Sequence, residues 1–154
     1  MTDTLDMQHV FFMQEALKQA KQARDKDEVP VGTVVVFEGK IIAKAHNQVE
    51  MLKDPTAHAE MIAITQATSC LSSKWLENCS MYVTIEPCSM CAGALVLARI
   101  KNLYFGAADS KAGACGSVMN IVENKQLNHR VDVFGGVLAE ECSNLMKKFF
   151  KTKR

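Results

Sequence analysis

The sequence predicts an α/β domain of five strands and five helices, on three observations. A Val-rich run and its return across a tight turn form a hairpin over Val31–Phe37 and Ile41–His46. A strand, a helix and another strand follow one another between Ser80 and Phe105. Amphipathic helical patterns stand near both ends of the chain.

In chain order, the first helix is predicted over His9–Lys26. Val10, Met13, Leu17, Ala20 and Ala23 fall on one face there, and Pro30 follows where a helix interior would not admit it. Glu38-Gly39-Lys40 supplies the turn of the hairpin. The chain then loops through Asp54-Pro55, and Thr56 is expected to cap a helix over Ala57–Thr68. Ser80–Ile85 is the third strand. Pro87 opens a helix over Cys88–Arg99, where its missing N–H costs nothing. Asn102–Phe105 is the fourth strand, parallel to the third by a right-handed crossover. Asp109–Ser117, with Gly113 and Gly116, is a loop, and Val118–Glu123 is expected to be a short helix. Arg130–Phe134 is the fifth strand, ended by Gly135-Gly136, and Leu138–Phe150 is the last helix.

The 154 residues suit one domain, 1–154, and their 48% hydrophobic content supplies one core. A formal net charge of +1 makes any contact with nucleic acid a matter of local patches. No apolar run approaches a membrane span. The start, Met1–Asp6, has two Asp and no basic residue, unlike a secretory signal. A cytoplasmic location is expected, so the six cysteines are read as thiols or metal ligands before disulfides.

Two segments carry chemistry. His58-Ala59-Glu60 joins an imidazole to a carboxylate, and Glu86-Pro87-Cys88-Ser89-Met90-Cys91 contains a C-x-x-C pair. One imidazole and two thiolates form a borderline-soft set suited to one Zn²⁺ per chain. Both Cys88 and Cys91 fall at a helix start, where free N–H groups favour thiolates. Three ligands leave a coordination position open for water, which is the catalytic pattern. A fourth ligand from Cys70, Cys79 or Cys115 would instead close the site into a structural staple, and a redox pair is the other bland reading. Neither explains the acid two residues after His58. Residues two apart diverge on a regular helix, so His58 and Glu60 converge only if His58 lies at the helix entry. With that geometry, zinc makes a water acidic enough to attack at neutral pH. Glu60 carries the proton to the base ring and the leaving amine.

The His58-Ala59-Glu60 and Pro87-Cys88…Cys91 pair is the zinc-deaminase signature. Beyond it, the chain resembles the bacterial TadA family of tRNA-specific adenosine deaminases over nearly its whole length. The similarity runs through residues 27–32, 54–60, 82–88, 90–94, 105–107, 111–114, 116–117 and 127–131. The 54–60 string is shared with guanine deaminases. The 105–117 loop and the Asn128-His129-Arg130-Val131 string look like TadA in particular.

The resemblance implies a three-layer α/β/α cytidine deaminase-like fold, with a five-stranded mixed sheet and helices on both faces. It implies a homodimer that needs no other protein and acts on the wobble adenosine of an arginine tRNA anticodon stem-loop. It also places Asn47, Ala59, Asp109 and Lys111 at the substrate. On residue type alone, Asn47 suits a turn, and Asp109 and Lys111 a solvated loop. Ala108 departs from the Arg found in some members, which removes one phosphate contact. Lys147, Lys148 and Lys151 stand among aromatics near the C-terminus. Their types suit a helix C-terminus as well as RNA phosphates, and the resemblance favours RNA. Two other functions compete. One is deamination of free guanine, cytosine or a nucleoside, against which the basic C-terminal helix argues. The other is a non-enzymatic zinc module that binds RNA.

Overall fold

A computed structural model describes residues 2–153. The elements run α1 (Thr2–Asp25), β1 (Gly32–Phe37), β2 (Lys40–His46), α2 (Val49–Leu52), α3 (Ala59–Leu71), β3 (Cys79–Ile85), α4 (Ser89–Leu97), β4 (Asn102–Ala107), β5 (Asp132–Gly135) and α5 (Ala139–Thr152). The sheet order is β2-β1-β3-β4-β5. β1 lies antiparallel to both its neighbours, and β3, β4 and β5 are mutually parallel. This is the five-stranded mixed sheet of the cytidine deaminase-like fold.

Alternation along the strands assigns the two faces. Val34, Val36 and Tyr82 pack with Met13, Ala16, Leu17 and Ala20 of α1 and with Cys142 and Leu145 of α5. Val35, Met81, Val83 and Leu103 face the other way, onto Ala63 and Ala67 of α3 and Ala92 and Leu95 of α4. The helices therefore form a layer on each side of the sheet. Tyr82, Tyr104 and Phe134, aligned across β3, β4 and β5, stack at 4.6 and 4.9 Å between ring centres. Gly32 is required by α1, since a Cβ there would lie 2.1 Å from the carbonyl oxygen of Ala16. Glu38 and Gly39 both take positive φ, which suits a two-residue hairpin turn. No helix among the described residues is long and apolar enough to cross a membrane.

Several predicted boundaries move for physical reasons. α1 begins at Thr2 rather than His9, and no Gly or Pro stands between them to stop it. The α3 cap is His58, not Thr56; Asp54 instead accepts the N–H and hydroxyl of Thr56 at 2.8 and 2.7 Å. α4 ends at Leu97, two residues short, and Arg99 has left the helix with φ 56°. β4 extends to Ala107, and β5 starts two residues late, at Asp132.

The helix expected over Val118–Glu123 does not form. There Gly116 N–H donates to Met119 and Ile121 N–H to Ala114, around an isolated bridge between Cys115 and Asn120. α2 lies where a loop is predicted. Four residues are too few to show a helical period.

Candidate active site

The site lies where the C-terminal ends of β2, β3 and β4 meet the start of β1, the edge at which open α/β sheets place their ligands. Two helices begin there. His58 is the N-cap of α3 with extended backbone (φ −74°, ψ 150°), and Cys88 is the N-cap of α4 (φ −75°, ψ 178°). The His58 side chain thus leaves from outside the helix, while Glu60 occupies its second position. Both line one cavity of about 280 Å³.

His58 Nδ1 lies 3.6 Å from the Sγ of Cys88 and 3.6 Å from the Sγ of Cys91. All three ligand atoms fall within 4.8 Å of one another. Tetrahedral zinc, with bonds of about 2.3 Å to sulfur and about 2.0–2.1 Å to nitrogen, separates such a pair of atoms by about 3.5–3.6 Å. The donor set and its spacing therefore fit the ion. Among the described residues no other Cys, His, Asp or Glu joins the group. Cys115, buried nearby, has its thiol 3.9 Å from the Pro87 carbonyl oxygen.

The two thiols differ. The Cys91 thiol beside it, with the His58 ring and the helix-start N–H groups, holds Cys88 down at about 5 against the cost of burial. Cys91 is pushed far up by its hydrogen bond to Cys88 and by complete burial. Burial also pushes Glu60, 3% exposed, up to about 7.

Asn47 and Ala59 line the same cavity, as does Asp109 on the far wall. Asn47 donates through Nδ2 to the Val29 carbonyl at 3.3 Å. Asp109 Oδ1 accepts the N–H groups of Lys111 and Ala112 at 3.0 and 3.1 Å. Lys111 is exposed and outside the cavity wall. On α5, Lys147, Lys148 and Lys151 are exposed. Lys147 and Lys151 flank the half-exposed Phe150 in a shallow depression that reaches Met146, and Met146 also lines the main cavity. Phe149 is turned into the protein.

Two further buried residues line the cavity, Glu28 and Glu86, at 1% and 2% exposure, with no residue-type signal that assigns them there. Glu28 accepts the N–H groups of Glu50 and Met51 at 2.9 and 2.7 Å, which seats α2 against the cavity. Glu86 accepts from Asp109, Cys115 and Ser117. Burial alone would raise the Glu86 carboxyl; the Ser117 hydroxyl and the backbone N–H groups outweigh it and hold it below the usual range. Charged residues are expected at the surface, and only knowledge of the N–H groups they meet would place these two inside.

A three-layer α/β/α fold with a His-Cys-Cys ligand set and a buried Glu at its helix entry defines a deaminase of the cytidine deaminase type. Residues 7–154 match the MafB19-like deaminase family. The chain is 54% identical to the tRNA-specific adenosine deaminase of Aquifex aeolicus over 144 residues, covering 94% of this chain and 95% of that one. It is 46% identical to that of Bacillus subtilis over 147 residues, covering 96% and 91%. A solved structure from a study of A-to-I editing by tRNA deaminases at the wobble position superposes with a TM-score of 0.84. It is 41% identical, with 88% of this chain and 98% of that one covered. The chain belongs to the tRNA-specific adenosine deaminase family.

The split between the thiols sets the proton count of metal binding. At pH 7 Cys88 is already a thiolate, whereas Cys91 must give up its proton to become a ligand. Titration of the metal-free Glu60→Gln protein at pH 7 with cadmium, a thiolate-binding ion whose bound water stays protonated at that pH, by calorimetry in buffers of different ionisation enthalpy, is expected to release about one proton per ion. A release of about two would show that Cys88 is not ionised beforehand.

Proposed function

We propose that this chain converts the wobble adenosine of an arginine tRNA to inosine, with one zinc held by His58, Cys88 and Cys91 and with Glu60 as the proton carrier. The observation that carries the reading is the buried Glu60 carboxyl beside a three-ligand set, in a cavity of nucleobase size. Bound zinc supplies the Lewis acidity that makes a water nucleophilic near neutral pH. Burial raises the Glu60 carboxyl in the metal-free protein, which favours a group that both accepts and returns a proton. It carries one proton of the attacking water to the ring nitrogen and then the second, from the added hydroxyl, to the departing amine, so that water is consumed and ammonia released.

The surrounding groups hold the nucleoside. Asn47 offers an amide to a sugar hydroxyl or base edge. Ala59 has only its backbone N–H to offer, and at the first position of α3 no carbonyl within the helix takes it. Asp109 keeps its second carboxylate oxygen for a ribose hydroxyl, with Lys111 outside it for phosphate. Residues 1–154 act as one deaminase domain in the cytoplasm. The direct test is incubation with an arginine anticodon stem-loop followed by detection of inosine. The wild type is expected to form it, and the Glu60→Ala protein to keep zinc and RNA binding but lose at least about 10²–10⁴ in rate. Loss of zinc from Glu60→Ala would make Glu60 a ligand, and a wild type that makes no inosine would overturn the reading.

The family resemblance and the exposed apolar side chains, Leu97 at 81% above all, support a homodimer. Sedimentation is expected to give a dimer at assay concentration; a fully active monomer would refute it.

The α5 lysines support an RNA contact. Replacing Lys147, Lys148 and Lys151 by Gln should weaken stem-loop binding. The log–log salt slope should flatten by about 0.7–0.9 per lost phosphate contact, with zinc content unchanged. An unchanged slope would make the patch merely solubilising.

A further inference from the structure

The mechanism leaves one buried cavity carboxylate unused on the ligand side. Glu86 follows β3 and stands two residues before Cys88, at 2% exposure. Oε1 accepts the N–H of Asp109 at 3.0 Å and the hydroxyl of Ser117. Oε2 accepts the N–H groups of Cys115 and Ser117, each at 3.0 Å. The backbone adds two ties, from Glu86 N–H to the Ala107 carbonyl at 2.8 Å and from Ala114 N–H to the Pro87 carbonyl at 2.9 Å. The loop closes so tightly that a Cβ on Gly113 would lie 2.4 Å from Glu86 Cδ.

Apart from these ties, the loop is held by its own turns and by the packing of Ala114 and Cys115 in the core. It belongs to the 108–131 connection between two parallel strands, where a crossover helix is usual and none forms. Long connections without secondary structure are uncommon in compact domains and are often functional. This one supplies Asp109 and Ala112 to the cavity wall, across from Cys88. A single carboxylate thus spans the segment that carries the metal ligands and the loop that forms the substrate wall.

We infer that Glu86 is a positioning residue that locks the 109–117 loop in its substrate-binding form and so sets affinity for RNA rather than the rate of the chemical step. The inference rests on the functional reading given above. Its physical basis is acceptor count. An ionised carboxylate accepts from four donors and donates to none. A Gln in its place turns an NH₂ group towards backbone N–H groups, so at least one buried donor goes unpaired. The loop then samples other conformations, and RNA binding must include the cost of ordering it. Glu60 and the three ligands, on α3 and at the start of α4, do not move with it.

The test uses the zinc-loaded, full-length protein. In a Glu60→Ala background, Glu86→Gln is expected to weaken binding of the arginine anticodon stem-loop by at least about tenfold, a loss of the size a buried charged hydrogen bond produces. With Glu60 intact, KM should rise by a similar factor, while turnover at saturating RNA changes by under about threefold. Zinc should remain at one per chain. Amide exchange should accelerate at Asp109, Cys115 and Ser117 and not in β1 or β3. Ser117→Ala removes one hydroxyl donor only; it should shift affinity and exchange in the same direction by less, and it carries the test if Glu86→Gln does not fold. Unchanged affinity in both variants overturns the inference. So does loss of zinc in step with affinity, which would make Glu86 a general staple of the fold. If the Glu60→Ala parent does not bind the stem-loop at all, the functional reading falls as well; if the parent binds and Glu86→Gln binds equally, only the role of Glu86 falls.

Discussion

The site depends on two helices starting at one point with their first residues still extended. A residue at an N-cap is not bound by helical spacing, and this lets His58 and Glu60, two apart, serve the same cavity. Moved one residue into α3, His58 would point away from Glu60, and the two would no longer share one cavity. The same arrangement aims the free N–H groups of α4 at Cys88, so the metal-free protein holds one thiolate before zinc arrives. Packing makes the convergence possible. α3 and α4 meet the sheet through Ala63, Ala67 and Ala92, small enough for the helices to lie close.

Five acidic residues line this cavity, and the surroundings of the three buried ones, Glu28, Glu60 and Glu86, divide their work. Glu28 and Glu86 meet two and four hydrogen-bond donors, and each holds a piece of backbone against the cavity. Glu60 has burial without comparable compensation and is raised to about 7. Glu86, surrounded by donors, is held below the usual carboxylate range and acts as an anchor. A carboxylate that is buried with few donors titrates near neutrality and can move a proton. One residue type thus provides both the rigid wall and the moving proton.

The parts of this protein that were legible in its sequence are those with a period or a spacing. The Val-rich run of Val31–Phe37 and the 3.6-residue repeat of α1 marked a buried strand and a helix that packs through one face, and C-x-x-C with a preceding His-x-Glu marked the ligand set. The proviso that His58 must lie at a helix entry was also available from helix geometry alone. What stayed hidden depends on partners distant in the chain. α2 exists because Glu28, more than twenty residues upstream, accepts two of its N–H groups. Val118–Glu123 does not form the expected helix; Met119 and Ile121 pair instead with Gly116 and Ala114, on a stretch whose Cys115 and Ser117 amides go to Glu86. No local pattern announces such contacts. The different fates of Phe149 and Phe150 were likewise beyond residue type, because only the packing of α5 on the sheet decides which ring turns inward.

Cavity size constrains how an RNA can be read. A volume of about 280 Å³ lies near the lower end for small-molecule sites, of order 300–1,000 Å³, and admits one nucleoside rather than a stretch of loop. The target base must therefore leave its stack and enter alone. This costs least in a single-stranded loop, where no pairing is broken. Discrimination among RNAs then falls to groups outside the cavity, since every adenosine presents the same face once inside. On the proposed function, the elements that reach beyond the cavity are the 109–117 loop and α5, where Met146 lines both the cavity and the depression flanked by Lys147 and Lys151. On that same proposal, chemistry and RNA choice fall to different elements: the reaction to the entries of α3 and α4, and selection to a loop and a terminal helix.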